Sequence, residues 1–166
     1  MFEKLDTPRE LFTYKLGAAL EMEQTVLKML GNLQEEAQDG QLTELFRHHA
    51  GETRQQIRNL ELAFEAVGEK PDDKPCPAIE GIDKEGKANV KKASDQLVDA
   101  VILSGAAETE HHEIAVYEGL ITQAEALGEP SVVTLLRQNL EQEEHTLDEV
   151  RRAARAVAQR TRHVAA

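Results

Sequence analysis

Residues 106–120 read AAETEHHEIAVYEGL. Ala107, Glu110, Ile114 and Tyr117 recur at steps of three and four, continuing from Leu103, which traces one face of an α-helix. Glu110 and Glu113 fall on that face, where a stripe facing a core is otherwise apolar. His111 lies about 100° from the Glu110 direction and reads as a supporting or surface group. Glu108 reads as solvated and His112 as outward-facing. Tyr117, one turn beyond Glu113, is placed to donate to a group in the interior or to pack with its hydroxyl satisfied. Two inward carboxylates need partners, and the partners must lie on other helices.

The same pattern recurs along the chain. Thr7-Pro8-Arg9-Glu10 is a helix start with the residues of a capping box, and the helix is expected over about 8–37. Its stripe runs through Leu16, Ala19, Val26, Leu30 and Leu33, with Glu23 inside it and Glu21 turned about 160° away. A second helix over about 42–67 carries Leu45, Phe46, Leu60, Phe64 and Val67 and stops at Gly68. His49 and Glu52 continue its line, with Gln56 a turn further on. The third helix spans about 95–127 and ends at Gly128. Glu129-Pro130-Ser131 opens a fourth over about 131–158, where Val133, Leu136, Leu140, Leu147 and Val150 share a face and Glu143 sits among them. His48 and His145 face outward, and His163 lies in the tail. From Arg151 onward there are five arginines and no acid, which complements a helix C-terminus before the chain frays.

Between the second and third helices, over about 68–94, EKPDDKPCP must be extended, and AIEGIDKEGKANVKK can form a short helix weakened by two glycines. Two hairpins of long helices joined by a long connection predict an all-α, ferritin-like four-helix bundle with one crossover. An up-and-down bundle with a loose middle loop is the alternative.

The 166 residues suit a single domain. Abundant Ala, Leu, Glu and Gln favour helices over sheets. A net charge of −12 argues against nucleic acid or an anionic membrane as the main partner. Cys76 is the only cysteine, so there is no intramolecular disulfide and no thiolate metal cluster. No apolar run approaches the ~20 residues of a membrane span, and MFEKLDTPRELF lacks the form of a signal peptide. A soluble, cytoplasmic protein is expected.

The inward set is thus Glu23, His49, Glu52, Glu110, Glu113 and Glu143, from all four long helices. One glutamate on an amphipathic helix usually sits at a boundary with its head in water. Five carboxylates on facing surfaces are different, because each ionised, unpaired one costs several kcal/mol to bury. No lysine or arginine falls on these faces near the cluster. Two divalent ions would supply four positive charges against five negative. Oxygen ligands with one imidazole suit iron or manganese better than zinc.

At these residues the chain resembles the YciF-like bacterial stress proteins, a ferritin-like family of largely unassigned function. The resembling stretches are EMEQTVLKML, HHAGETRQQIRNLE, KPCPAIEG, AAETEHHEIAVYEGL and LLRQNLEQEE, which together reach from about Asp6 to Val150. The resemblance implies a ferritin-like bundle, a short helix in the crossover, and a dinuclear centre on the same six residues. It also brings departures. His112 stands where relatives usually have an aromatic, and Leu147 where they tend to have an aspartate. His49 precedes Glu52 by a turn, whereas the wider di-iron pattern has its histidine a turn after the glutamate, where this chain has Gln55. The choice between those geometries is open at this level.

The expected function is a dinuclear iron or manganese protein acting on dioxygen or peroxide in oxidative stress, with ferroxidase- or peroxidase-like chemistry. Glu23 and Glu143 would be terminal ligands and Glu52 and Glu110 bridges, with Glu113 and His49 completing the sphere. The alternatives are a non-catalytic stress or interaction protein whose metal is structural, and a metal-free helical adaptor. A homodimer is expected because exposed faces of such bundles commonly pair.

Overall fold

In the computed structural model, which describes residues 4–162, helices form at nearly every position predicted. They are α1 (Pro8–Glu36), α2 (Gly40–Ala66), α3 (Pro77–Val90), α4 (Val98–Leu127) and α5 (Pro130–Thr161), with a 3-10 turn at Asp95–Leu97 before α4. The capping box at Thr7 is complete: Thr7 accepts from the Glu10 amide, and the Glu10 side chain accepts from the Thr7 amide. Asp39 caps α2 by accepting from the Gln41 amide at 2.9 Å, which starts that helix two residues ahead of expectation. Gly128 ends α4 at φ 73°, a left-handed conformation that costs glycine little.

Which helices touch decides the topology. α1 packs on α2 and α4, and α5 packs on α2 and α4. An up-and-down bundle would instead seat α1 beside α5. The ends agree. At the start of α4, Asp99 accepts from the amides of Gln38 and Asp39 at 2.9 and 3.2 Å, in the α1–α2 turn. At the start of α1, Arg9 pairs with Glu129 in the α4–α5 turn at 2.7 Å. The chain therefore leaves α2 at one end of the bundle and enters α4 at the other. This is the ferritin-like order with a single crossover, and α3 gives that crossover structure of its own.

The crossover is held close to α1. Lys74 donates its amide to the Gly17 carbonyl at 3.1 Å, and a Cβ on Gly17 would lie 2.4 Å from the Asp72 carbonyl oxygen. Only glycine fits there. Ile79 of α3 is fully buried. Phe12, Leu16, Leu60, Phe64, Leu103 and Leu120 fill the interior, each worth about 1.5–3 kcal/mol relative to exposure.

The arginine-rich end stays helical to Thr161, three residues past the expected end near 158, held by the buried Val157 and by Arg160, which pairs with Asp39 at 2.7 Å. One expectation changes. The inner face of α5 is turned by about one residue, with Val132 and Leu136 fully buried and Val133 and Leu140 only partly so. His163 lies outside the described residues.

Candidate metal centre

Midway along the bundle the interior becomes polar. Glu23 of α1, His49 of α2, Glu110 and Glu113 of α4, and Glu143 of α5 are all at most 3% exposed. Among the described residues no lysine or arginine is buried. One ligating atom from each of His49, Glu110, Glu113 and Glu143 lies within 4.8 Å of the others, a space of the size a single ion occupies between its ligands.

His49 organises the group. Its Nε2 faces Glu110 Oε1 at 3.3 Å and Glu143 Oε2 at 3.6 Å. Its Nδ1 faces the opposite way, 3.4 Å from Glu52 Oε2 and 3.3 Å from the Thr146 hydroxyl. Both oxygens of Glu113 and of Glu143, together with Glu110 Oε2, Glu23 Oε2 and His49 Nε2, are buried without a hydrogen-bond partner. An unpartnered buried oxygen costs about 1–3 kcal/mol, more when charged, so this concentration requires an explanation.

The remaining two predicted residues flank the quartet. Glu23 is buried, and its Oε1 accepts a hydrogen bond from the Tyr117 hydroxyl. Glu52 lies at the rim, its side chain 17% exposed, with Oε1 3.5 Å from Nε2 of the exposed His48. His49 therefore stands between Glu52 and the three buried carboxylates. Gln55, one turn after Glu52, is exposed and donates to Asn59 at 3.0 Å. The imidazole before the glutamate is the one that reaches the centre.

The titration of these groups follows from their surroundings. Burial, reinforced by Glu143, Glu23 and Glu110, drives the Glu113 carboxyl well above the usual range. Burial and Glu23 do the same to Glu143 against the pull of His49. Glu23 is pushed up to about 7 by burial, with the Tyr117 hydrogen bond and His49 opposing. Burial alone would lower the His49 pKa, but Glu110, Glu52 and Glu143 outweigh it and raise it well above the ordinary value. For Glu52 the upward push of partial burial is overcome by His49, and its pKa falls. Burial and Glu23 hold Tyr117 in its neutral form. Without a cation, protons take the place of positive charge.

Beyond the quartet lies a buried amide network that helix periodicity does not reveal. Asn139 of α5 donates to the Tyr117 hydroxyl at 3.0 Å and to the Gln56 carbonyl at 3.2 Å, and accepts from Asn59 of α2 at 2.7 Å. With both Asn139 protons used, Tyr117 directs its own toward Glu23. The signal in the sequence is Asn139, which sits one turn before Glu143 on a face that should be apolar. Thr146 likewise supplies a hydroxyl to His49 beside the buried Leu147.

The bystanders are mostly as expected. His48 and His145 are exposed, and His111 is exposed with Nε2 3.2 Å from Arg151. His112 is the exception. It is half-buried under the crossover, with Nε2 3.9 Å from Cys76 Sγ, and burial followed by Lys15 lowers its pKa.

Comparison with known proteins bears on this arrangement. Protein YciF of Escherichia coli (strain K12) is 28% identical over 144 residues, 86% of this chain and 87% of its own. The crystal structure of that stress protein superposes with a TM-score of 0.88 at 27% identity, covering 93% of this chain and 99% of the other. YcfI of Rhodopseudomonas palustris, described as a candidate structural protein, superposes with a TM-score of 0.87 at 33% identity over 90% of this chain and 98% of its own. Residues 7–162 match the family described as a domain of unknown function, DUF892. With nearly its whole length matched, the chain belongs to the DUF892 family, that of the YciF-like proteins.

Proposed function

We propose that this protein binds iron or manganese in the buried Glu/His cluster, up to two ions per chain, and uses them on dioxygen or peroxide during stress. The observation that carries the reading is the convergence of unpartnered buried oxygens from α4 and α5 on Nε2 of His49. His49, Glu110, Glu113 and Glu143 would hold the first ion. Glu23, on the Tyr117 side, would serve the second together with the unpartnered oxygens of Glu113 and Glu143, and Glu52 would reach the centre from the rim through His49. Their oxygen-rich donor set matches the hard, redox-active cations better than zinc.

Bound iron or manganese would supply an electron-transfer centre and a Lewis acid toward an oxygen substrate. The chain's own residues do the rest. The low-polarity walls exclude water and strengthen each charge interaction. His49 is oriented by Glu52 and Thr146 at Nδ1, leaving Nε2 for a ligand. Tyr117 holds a proton directed at Glu23 Oε1. A cytoplasmic, homodimeric protein is part of this reading. Its compartment is proposed from the single free cysteine, which suits a reducing interior.

The test is elemental analysis of tag-free protein reconstituted with Fe(II) or Mn(II), alongside Glu110→Ala, followed by dioxygen and peroxide consumption. The expected result is one to two ions per wild-type chain, a large loss in the variant, and Fe(II) oxidation well above buffer. Less than roughly one ion per chain favours a metal-free adaptor. The buried Leu147 beside Glu143 favours a second reading, in which the ion only stabilises the bundle. That reading predicts a large fall in Tm on chelation without turnover.

A further inference from the structure

Among the described residues, one opening meets the cluster at Glu110 and another at Glu52, and they differ in size and polarity. Between α1 and α4 a void of about 10 Å³ ends on Glu110, with Val26, Met29, Leu30 and Leu33 among its walls. One water needs about 10–15 Å³ of such space, so an ion carrying its hydration shell cannot use this path. Between α2 and α5 lies a cleft of about 400 Å³, with Glu52 and Asn59 on one side and Gln138, Glu141, Gln142 and His145 on the other. It has room for a fully hydrated cation and is lined by groups that can replace water ligands.

We infer that the α2/α5 cleft is the loading port through which a divalent cation reaches the buried cluster, with Glu52 as the side chain that receives it. The inference rests on the metal-binding reading above. Glu52 is the cluster's contact with this cleft: Oε1 faces the exposed His48, while Oε2 faces the buried His49 and Thr146. A cation taken from water at Oε1 is one carboxylate away from the histidine. Buried, unpartnered amide oxygens continue along the seam, Gln142 Oε1 on α5 and Gln56 Oε1 on α2. Each is a hard donor of the kind that hands on a partly dehydrated ion. The opposite seam, between α1 and α4, is covered by α3.

Steering by a charged cleft changes arrival rate far more than affinity. The probe is Co(II), followed by stopped-flow absorbance as it loads metal-free protein. Glu141→Lys places a cation on the exposed rim, and Glu85→Lys makes the same charge change on exposed α3. The expected result is loading about tenfold slower in Glu141→Lys at low salt, a difference that shrinks as salt is added. Glu85→Lys should stay within about twofold of wild type, and all three proteins should reach the same final stoichiometry. Wild-type loading by Glu141→Lys, or equal slowing by both variants, overturns the port while leaving metal binding intact. Absence of Co(II) uptake by wild type overturns the metal reading and the port together.

Discussion

Tyr117 is the residue on which the polar interior turns. It is fully buried, donates to Glu23 and accepts from Asn139. Tyr117→Phe removes one oxygen and strands both neighbours, so metal-free protein should lose about 1–3 kcal/mol of stability. Urea unfolding measures this, and wild-type stability in the variant would show that neither neighbour depends on the hydroxyl. At this scale the site was partly legible. Glu23, His49, Glu110, Glu113 and Glu143 could be found because a 3.6-residue period separates inside from outside. Glu52 could not be placed as finely, since helical phase does not distinguish a residue facing the bundle axis from one at a seam between two helices. Asn59, Asn139 and Thr146 escaped because a lone amide or hydroxyl on an apolar stripe reads as a boundary residue until its partner is known.

At the scale of elements, the crossover depends on one missing side chain. Gly17→Ala gains up to about 1 kcal/mol of helix propensity in an exposed helix. Here the new Cβ would meet the Asp72 carbonyl at 2.4 Å, and that backbone is pinned to α1 by Lys74. A net loss of about 1–3 kcal/mol is expected, seen as a fall in Tm. A rise in Tm would mean that the crossover yields freely. The helices themselves were legible to within a few residues, because Thr7, Pro8, Asp39, Gly68, Gly128 and Pro130 punctuate the chain. The end of α5 near Thr161 was legible too, whereas the Arg160–Asp39 pair that holds it was not, because it joins residues 121 apart.

For the whole molecule, the cluster ties stability to pH. The raised pKa values of Glu23, Glu113, Glu143 and His49 mean that the folded, metal-free protein holds protons that the unfolded chain releases. Stability from such groups is present below their unfolded pKa and is lost as pH rises through the folded one. Metal-free protein should therefore weaken between pH 4.5 and about 7 and further above it, by roughly 5 °C or more in Tm. Glu52, with its lowered pKa, works in the opposite direction at low pH. Divalent metal should restore the alkaline loss by replacing the protons. A Tm independent of pH in the metal-free state would refute the proton-filled core.

The residues of the buried quartet are drawn from both hairpins: His49 from the first, Glu110, Glu113 and Glu143 from the second. In polymer terms, an ion bound there as proposed would be a reversible crosslink between distant parts of the chain. The hairpins could not separate until it was released, and it could not form until they had docked. Its effect would be concentrated on the rate at which the folded protein comes apart rather than on the rate at which it assembles. On the proposed reading, a cell that starved this protein of metal would shorten the lifetime of its native state without slowing its synthesis into that state.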